Sequence, residues 1–136
     1  MNTIRTTYRP FNIAAPGKAL HVTLWTLQVL VALAFVGAAA GKLLGSPDMI
    51  ALFDAVGVGQ WFRYATGLLE VLGAALLLVP GKAVFGAVLL ACVMVGAVVA
   101  HLTVLHSAPT APLVLFALTA LIAWGRRAQL AGLLGS

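Results

Sequence analysis

Charge is what this chain has least of. Only 8% of its 136 residues are Asp, Glu, Lys or Arg, and only three are acidic. An average soluble domain carries about 25% charged residues. So few charges cannot cover a 14.0 kDa globule in water. Cysteine is just as scarce. Cys92 stands alone, which excludes an intrachain disulfide and a C-x-x-C redox pair. There is no pair of carboxylates spaced for acid–base work, no H-E-x-x-H, no Gly-rich phosphate loop and no G-x-S-x-G. A soluble enzyme domain, a disordered chain and a disulfide-rich secreted module are thereby set aside.

What fills the space is apolar: 62% of the residues, with a mean hydropathy of +1.10. This composition reads as an integral membrane protein, one compact unit of three to five spanning helices whose first partner is the lipid bilayer. The net charge of +5 does not signal nucleic acid. Arg5, Arg9 and Lys18 precede the first apolar run, Lys82 sits in a short turn, and Arg126-Arg127 follow the last run. Membrane topology concentrates positive charge at such places, and no basic stripe interleaved with aromatics is present.

Four apolar runs follow one another. The first, Val22 to Gly41, has twenty residues without a charge, enough to span ~30 Å as a helix. Gly37 and Gly41 form a small-xxx-small pair suited to a close neighbouring helix. Ser46-Pro47-Asp48 then reads as a helix start, with Ser as cap, Pro at the first position and Asp favoured by the dipole. The apolar residues Met49 to Val56 make a short amphipathic helix that lies on the membrane surface or caps the bundle. The second run, Trp61 to Val79, joins the third, Ala83 to about Leu105, through the tight turn Pro80-Gly81-Lys82. The last run, Leu113 to Gly125, is short and ends at Arg126-Arg127.

The expected fold is all-α, a four-transmembrane-helix bundle with the amphipathic helix between spans one and two. Residues 1–20 form an N-terminal cytoplasmic segment, 21–127 a single membrane domain and 128–136 a frayed tail. With both ends inside, six cations are cytoplasmic and two, Lys42 and Arg63, lie outside. The expected location is the inner (plasma) membrane.

Glu70 is the residue hardest to excuse. It falls mid-span in the second run, where a carboxylate costs at least ~2.5 kcal/mol and must find a partner or a proton. A helical wheel puts it with Arg63, Thr66, Gly67, Gly73, Ala74 and Leu77, opposite Leu68, Val71, Leu72, Ala75 and Val79. On the first run Gln28, Val31, Phe35, Ala38 and Lys42 share a stripe, and on the third His101 shares one with Leu90 and Met94. Lys42, Arg63 and His101 all lie toward the outer end. The expectation is an inward-facing polar pocket of Glu70, His101, Lys42, Arg63 and Thr66, with Glu70 at its floor. Glu70 is equally readable as interhelical glue. No catalytic residue is assigned. His21 and His101 sit at opposite depths and cannot share an iron, so no haem, cluster or other metal-held cofactor is expected.

Several segments carry a resemblance. Gly41-Lys42-Leu43, Pro47, Phe53 and Val56-Gly57 are followed by Tyr64-Ala65-Thr66-Gly67-Leu68-Leu69-Glu70-Val71-Leu72-Gly73, then Pro80, Gly86-Ala87, Met94, Gly96-Ala97 and His101. Over residues 25 to 124 the chain resembles the DoxX-like membrane proteins, the T-G-x-x-E-x-x-G core being the more specific part. The resemblance implies a four-helix membrane bundle. Founding members pass electrons from thiosulfate or a related sulfur donor to quinone, and some similar proteins are assembly factors or partners of soluble oxidoreductases. The function so implied is an accessory or quinone-proximal subunit of a membrane oxidoreductase system, with a quinone held by Glu70, His101 and Lys42. The alternatives are a non-enzymatic scaffold that binds a partner membrane protein and a small-molecule transporter acting as an oligomer.

Overall fold

The computed structural model describes residues 14–134, and six helices account for most of them. They are α1 (Lys18–Leu44), α2 (Pro47–Val56), α3 (Gln60–Leu78), α4 (Ala83–Thr103), α5 (Thr110–Gly125) and α6 (Ala128–Leu134). No strand occurs among the described residues. Arg5 and Arg9, which enter the charge count for orientation, lie outside them, as do most of the N-terminal segment and the last two residues.

The corners form where the sequence signals them. Gly45 ends α1 in the left-handed region at φ 71°, and its N–H bonds back to the Gly41 carbonyl. The Ser46 hydroxyl accepts from the Met49 N–H at 3.4 Å, with Pro47 and Asp48 in the first turn of α2. Pro80-Gly81-Lys82 closes the α3–α4 hairpin, helped by the Lys82 N–H donating to the Val79 carbonyl at 3.1 Å. After α4 the chain unwinds, and His106 takes φ 48° in an exposed turn.

α1 packs on α3, α3 on α4 and α4 on α5, and a smaller contact brings α5 back to α1. The core they enclose includes Val31, Phe35, Ala74, Leu77, Leu90, Met94 and Ile122. The α3–α4 crossing is tight because it is made of glycine. A Cβ on Gly86 would lie 2.5 Å from the Gly73 carbonyl oxygen and 2.8 Å from the Leu77 nitrogen. By contrast, nothing approaches Gly37 within 4 Å, whereas a Cβ on its partner Gly41 would lie 3.7 Å from Met49 of α2, so of the expected small-residue pair only Gly41 faces another helix. α2 rests on the start of α3, where Phe53 is buried and meets Phe62 edge to face at 5.9 Å.

The polarity of the bundle is inverted relative to a water-soluble one. Leu30, Leu33, Leu68, Leu102 and Leu121 are exposed, whereas Gln28, Arg63, Glu70, Thr119 and Arg126 are buried. Such an exterior suits hydrocarbon, and the buried polar side chains find partners in other side chains and in backbone carbonyls. α1, α3 and α4 are long and apolar enough to cross a membrane. α5, with 16 residues, is a shorter apolar helix of ~24 Å, so three helices meet the length of a full span and α5 falls short of it. Residues 128–134, expected to fray, form α6, whose Gln129 side chain accepts from the Val84 N–H at 3.0 Å and caps the start of α4.

Candidate functional site

The buried side of α3 consists of Arg63, Gly67, Glu70, Gly73, Ala74 and Leu77, and Leu68, Val71, Leu72, Ala75 and Val79 face outward. A 3.6-residue period produces this split, because residues three and four apart fall on one stripe. The stripe leaves Glu70 only 1% exposed, facing the last turns of α1. There the Lys42 ammonium donates to both carboxylate oxygens of Glu70, each at 3.1 Å. Gly67 makes the approach possible: a Cβ there would lie 3.0 Å from Leu43 and 3.3 Å from Lys42 Cβ. The lone deep acid and the cation near the end of α1 thus form one ion pair between two helices.

Arg63 lies about two turns nearer the start of α3 on the same stripe and is also buried. One terminal N–H donates to the Lys42 backbone carbonyl, and its Nε–H donates to Gln60 Oε1 at 2.7 Å. Its guanidinium stands 4.3 Å from the Tyr64 ring centre. The last carbonyls of a helix have no partner within the helix, and Arg63 supplies one for α1. Gln60 in turn donates to Asp54 Oδ1 at 2.7 Å and to the Ile50 carbonyl at 3.0 Å. A continuous set of polar contacts therefore links α2, the start of α3 and the end of α1.

The other two expected residues do not join. The Thr66 hydroxyl bonds to the Phe62 and Arg63 carbonyls of its own helix. His101 Nδ1 meets the Ala97 carbonyl at 2.8 Å, also within its own helix. Thr66 bonds within its own helix, a common outcome for short polar side chains, and His101 engages one ring nitrogen in the same way. The structure thus brings together Glu70, Lys42 and Arg63 and leaves Thr66 and His101 aside. Among the described residues no three of His, Cys, Asp and Glu converge.

A second polar cluster at the opposite end of the bundle went unread in the sequence. Gln28, fully buried on α1, donates to the Leu77 carbonyl at 2.7 Å. Its oxygen accepts from Arg126 Nε–H at 2.6 Å. Arg126, immediately beyond α5, also meets His21 Nδ1 at 2.9 Å and stands 5.8 Å from the Trp25 ring centre. Burial lowers the Arg126 pKa from its ordinary value, yet a guanidinium still holds its proton at neutral pH. A polar side chain amid an otherwise apolar stripe was the available signal for Gln28. Its partner, 98 residues away, left no local signal.

Comparison with curated proteins and with solved structures yields no match. A family model covers residues 26–123, from the first turns of α1 to the last of α5, and therefore includes Lys42, Arg63 and Glu70. By that match over most of its length, the chain belongs to the DoxX-like family.

Proposed function

We propose that this multi-pass membrane protein performs no chemistry of its own and serves as an accessory or assembly subunit of a membrane oxidoreductase system. The observation that carries this reading is the Lys42–Glu70 pair. Both carboxylate oxygens are engaged by one ammonium at 3.1 Å, so the only deep acid works as a tie between α1 and α3. A buried pair of this kind specifies how two helices meet more than it adds net stability. The apolar exterior leaves α4 and α5 free to meet another membrane protein through side-chain packing.

The oxidoreductase association itself comes from the DoxX-like resemblance. In this reading the protein lies in the inner (plasma) membrane with α5 as a fourth crossing. Lys18, Lys82, Arg126 and Arg127 stand at one end of the bundle and Lys42 and Arg63 at the other. The richer end faces the cytoplasm, which puts both termini there. Access of a C-terminal tag to a protease added from outside would overturn that orientation.

One observation favours a second reading, a quinone-proximal subunit. The Lys42 side chain is 16% exposed, and an ammonium has three donors, of which Glu70 takes two. The third suits a quinone carbonyl. Gentle purification in native lipid, with mass spectrometry of co-purifying proteins and quinones, separates the readings. A specific oxidoreductase partner without quinone supports the first, stoichiometric quinone lost in Lys42→Met supports the second, and neither overturns both.

A further inference from the structure

Arg126 has no acidic counterpart. The three acids of the chain are Asp48, Asp54 and Glu70. Two lie in α2 at the far end, and the third is bound to Lys42. At the same end of the bundle as Arg126 stand Lys18 at the start of α1, Lys82 before α4, and Arg127. This end therefore gathers cations and, among the described residues, no anion. A guanidinium that is 4% exposed in a weakly polar setting requires compensating negative charge or a dense set of acceptors. The acceptors it has are the Gln28 oxygen, His21 Nδ1 and, at 3.5 Å, the His21 carbonyl. They engage three of its five N–H groups.

The His21 contact fixes more. Because a guanidinium only donates, Nδ1 must accept and the ring proton resides on Nε2. That Nε2–H is a further donor, on a side chain that is itself exposed. Beside it a shallow, largely open groove of about 430 Å³ lies on one face of α1, lined by His21, Val22, Trp25, Thr26, Val29 and Leu30. From His21 to Leu30 it extends ~14 Å toward the middle of the bundle. Lys18 precedes it by one turn on the same stripe. A cationic end thus adjoins an exposed, mostly apolar face of α1 that faces the hydrocarbon.

We infer that this end of the bundle is a binding site for an anionic phospholipid, its phosphate on Lys18 and on the His21 Nε2–H that Arg126 holds in place, and one acyl chain along the α1 groove. Basic pockets between helices at the cytoplasmic side of a membrane recognise headgroups by this chemistry. Charge complementarity selects the phosphate, and the groove selects a lipid over a free phosphate ion. The inference stands whichever functional reading holds.

The test uses the full chain in nanodiscs of mixed phosphatidylcholine and phosphatidylglycerol, transferred to native mass spectrometry to count retained lipids. The wild type is expected to retain phosphatidylglycerol over phosphatidylcholine by about tenfold, a difference of ~1.4 kcal/mol. Arg126→Gln should abolish that preference. Val29→Trp, at an exposed position in the groove, should reduce retention while leaving the helical content and unfolding midpoint unchanged, which keeps the test decisive should Arg126→Gln fail to fold. Equal retention of both lipids by the wild type would overturn the site, as would full retention by Val29→Trp. Displacement of the lipid by inorganic phosphate would overturn the role of the groove.

Discussion

Lys42 and Glu70 meet across the α1–α3 interface with the ammonium 3.1 Å from each carboxylate oxygen. The acid, at mid-helix, is almost wholly enclosed, and the base reaches it from the last turn of α1. This contact joins α1 to the α3–α4 hairpin at one end, as Gln28 and Arg126 join α1 to α5 at the other.

Removing either partner leaves a buried charge alone, at a cost of ~3–5 kcal/mol. Lys42→Met and Glu70→Leu are each expected to lower unfolding stability in mixed micelles by that order. The double variant should lose much less than the sum, because apolar side chains of similar size tolerate the same site. Additive losses in the double-mutant cycle would show that the pair does not hold the helices together.

Glycine substitutions should divide sharply. Gly86→Ala drives a methyl to 2.5 Å from the Gly73 carbonyl oxygen, a backbone atom that cannot step aside. The expected loss is ~1–3 kcal/mol. Gly37→Ala meets nothing within 4 Å and should stay within ~0.5 kcal/mol of the parent. Comparing the two unfolding midpoints checks the α3–α4 crossing directly.

Cys92 is the only thiol in the chain and is exposed near the middle of α4. In hydrocarbon it lies beyond the reach of a reagent dissolved in water. A charged, water-soluble maleimide should therefore leave it unlabelled in intact membranes and label it after SDS unfolding. Rapid labelling in intact membranes would place this face of α4 in water.

Gln28→Leu removes the acceptor of Arg126 Nε–H and the donor to the Leu77 carbonyl. Leaving buried partners unsatisfied costs ~1–3 kcal/mol, more beside a charge. Hydrogen exchange at the end of α5 and at α6 should rise most, since Arg126 connects them to α1.

The α3 face was legible in the sequence because one period governs it: Glu70 shares a stripe with Gly67 and Gly73, which marks it as packed against a helix. The start of α2 was equally legible, since Ser46, Pro47 and Asp48 signal locally. Neither could show which cation Glu70 would choose among Lys42, Arg63 and His101. That choice depends on the crossing of α1 and α3 and on the His101 rotamer, which turns its ring to the Ala97 carbonyl. Charge counting treats Arg126 as one more cytoplasmic cation, and its inward course depends on how α1 meets α5, with Leu24 against Gly125 and Gln28 against Arg126.

The Gln28–Arg126 contact also orders assembly in time. Its two residues are 98 positions apart, so a ribosome that has delivered α1 into the membrane must still complete α3, α4 and α5 before the guanidinium emerges. Until then the Gln28 amide lacks the donor that its oxygen finally accepts from. A nascent chain paused after α4 therefore carries a half-satisfied polar group within the bilayer, and the bundle closes only when α5 has been delivered.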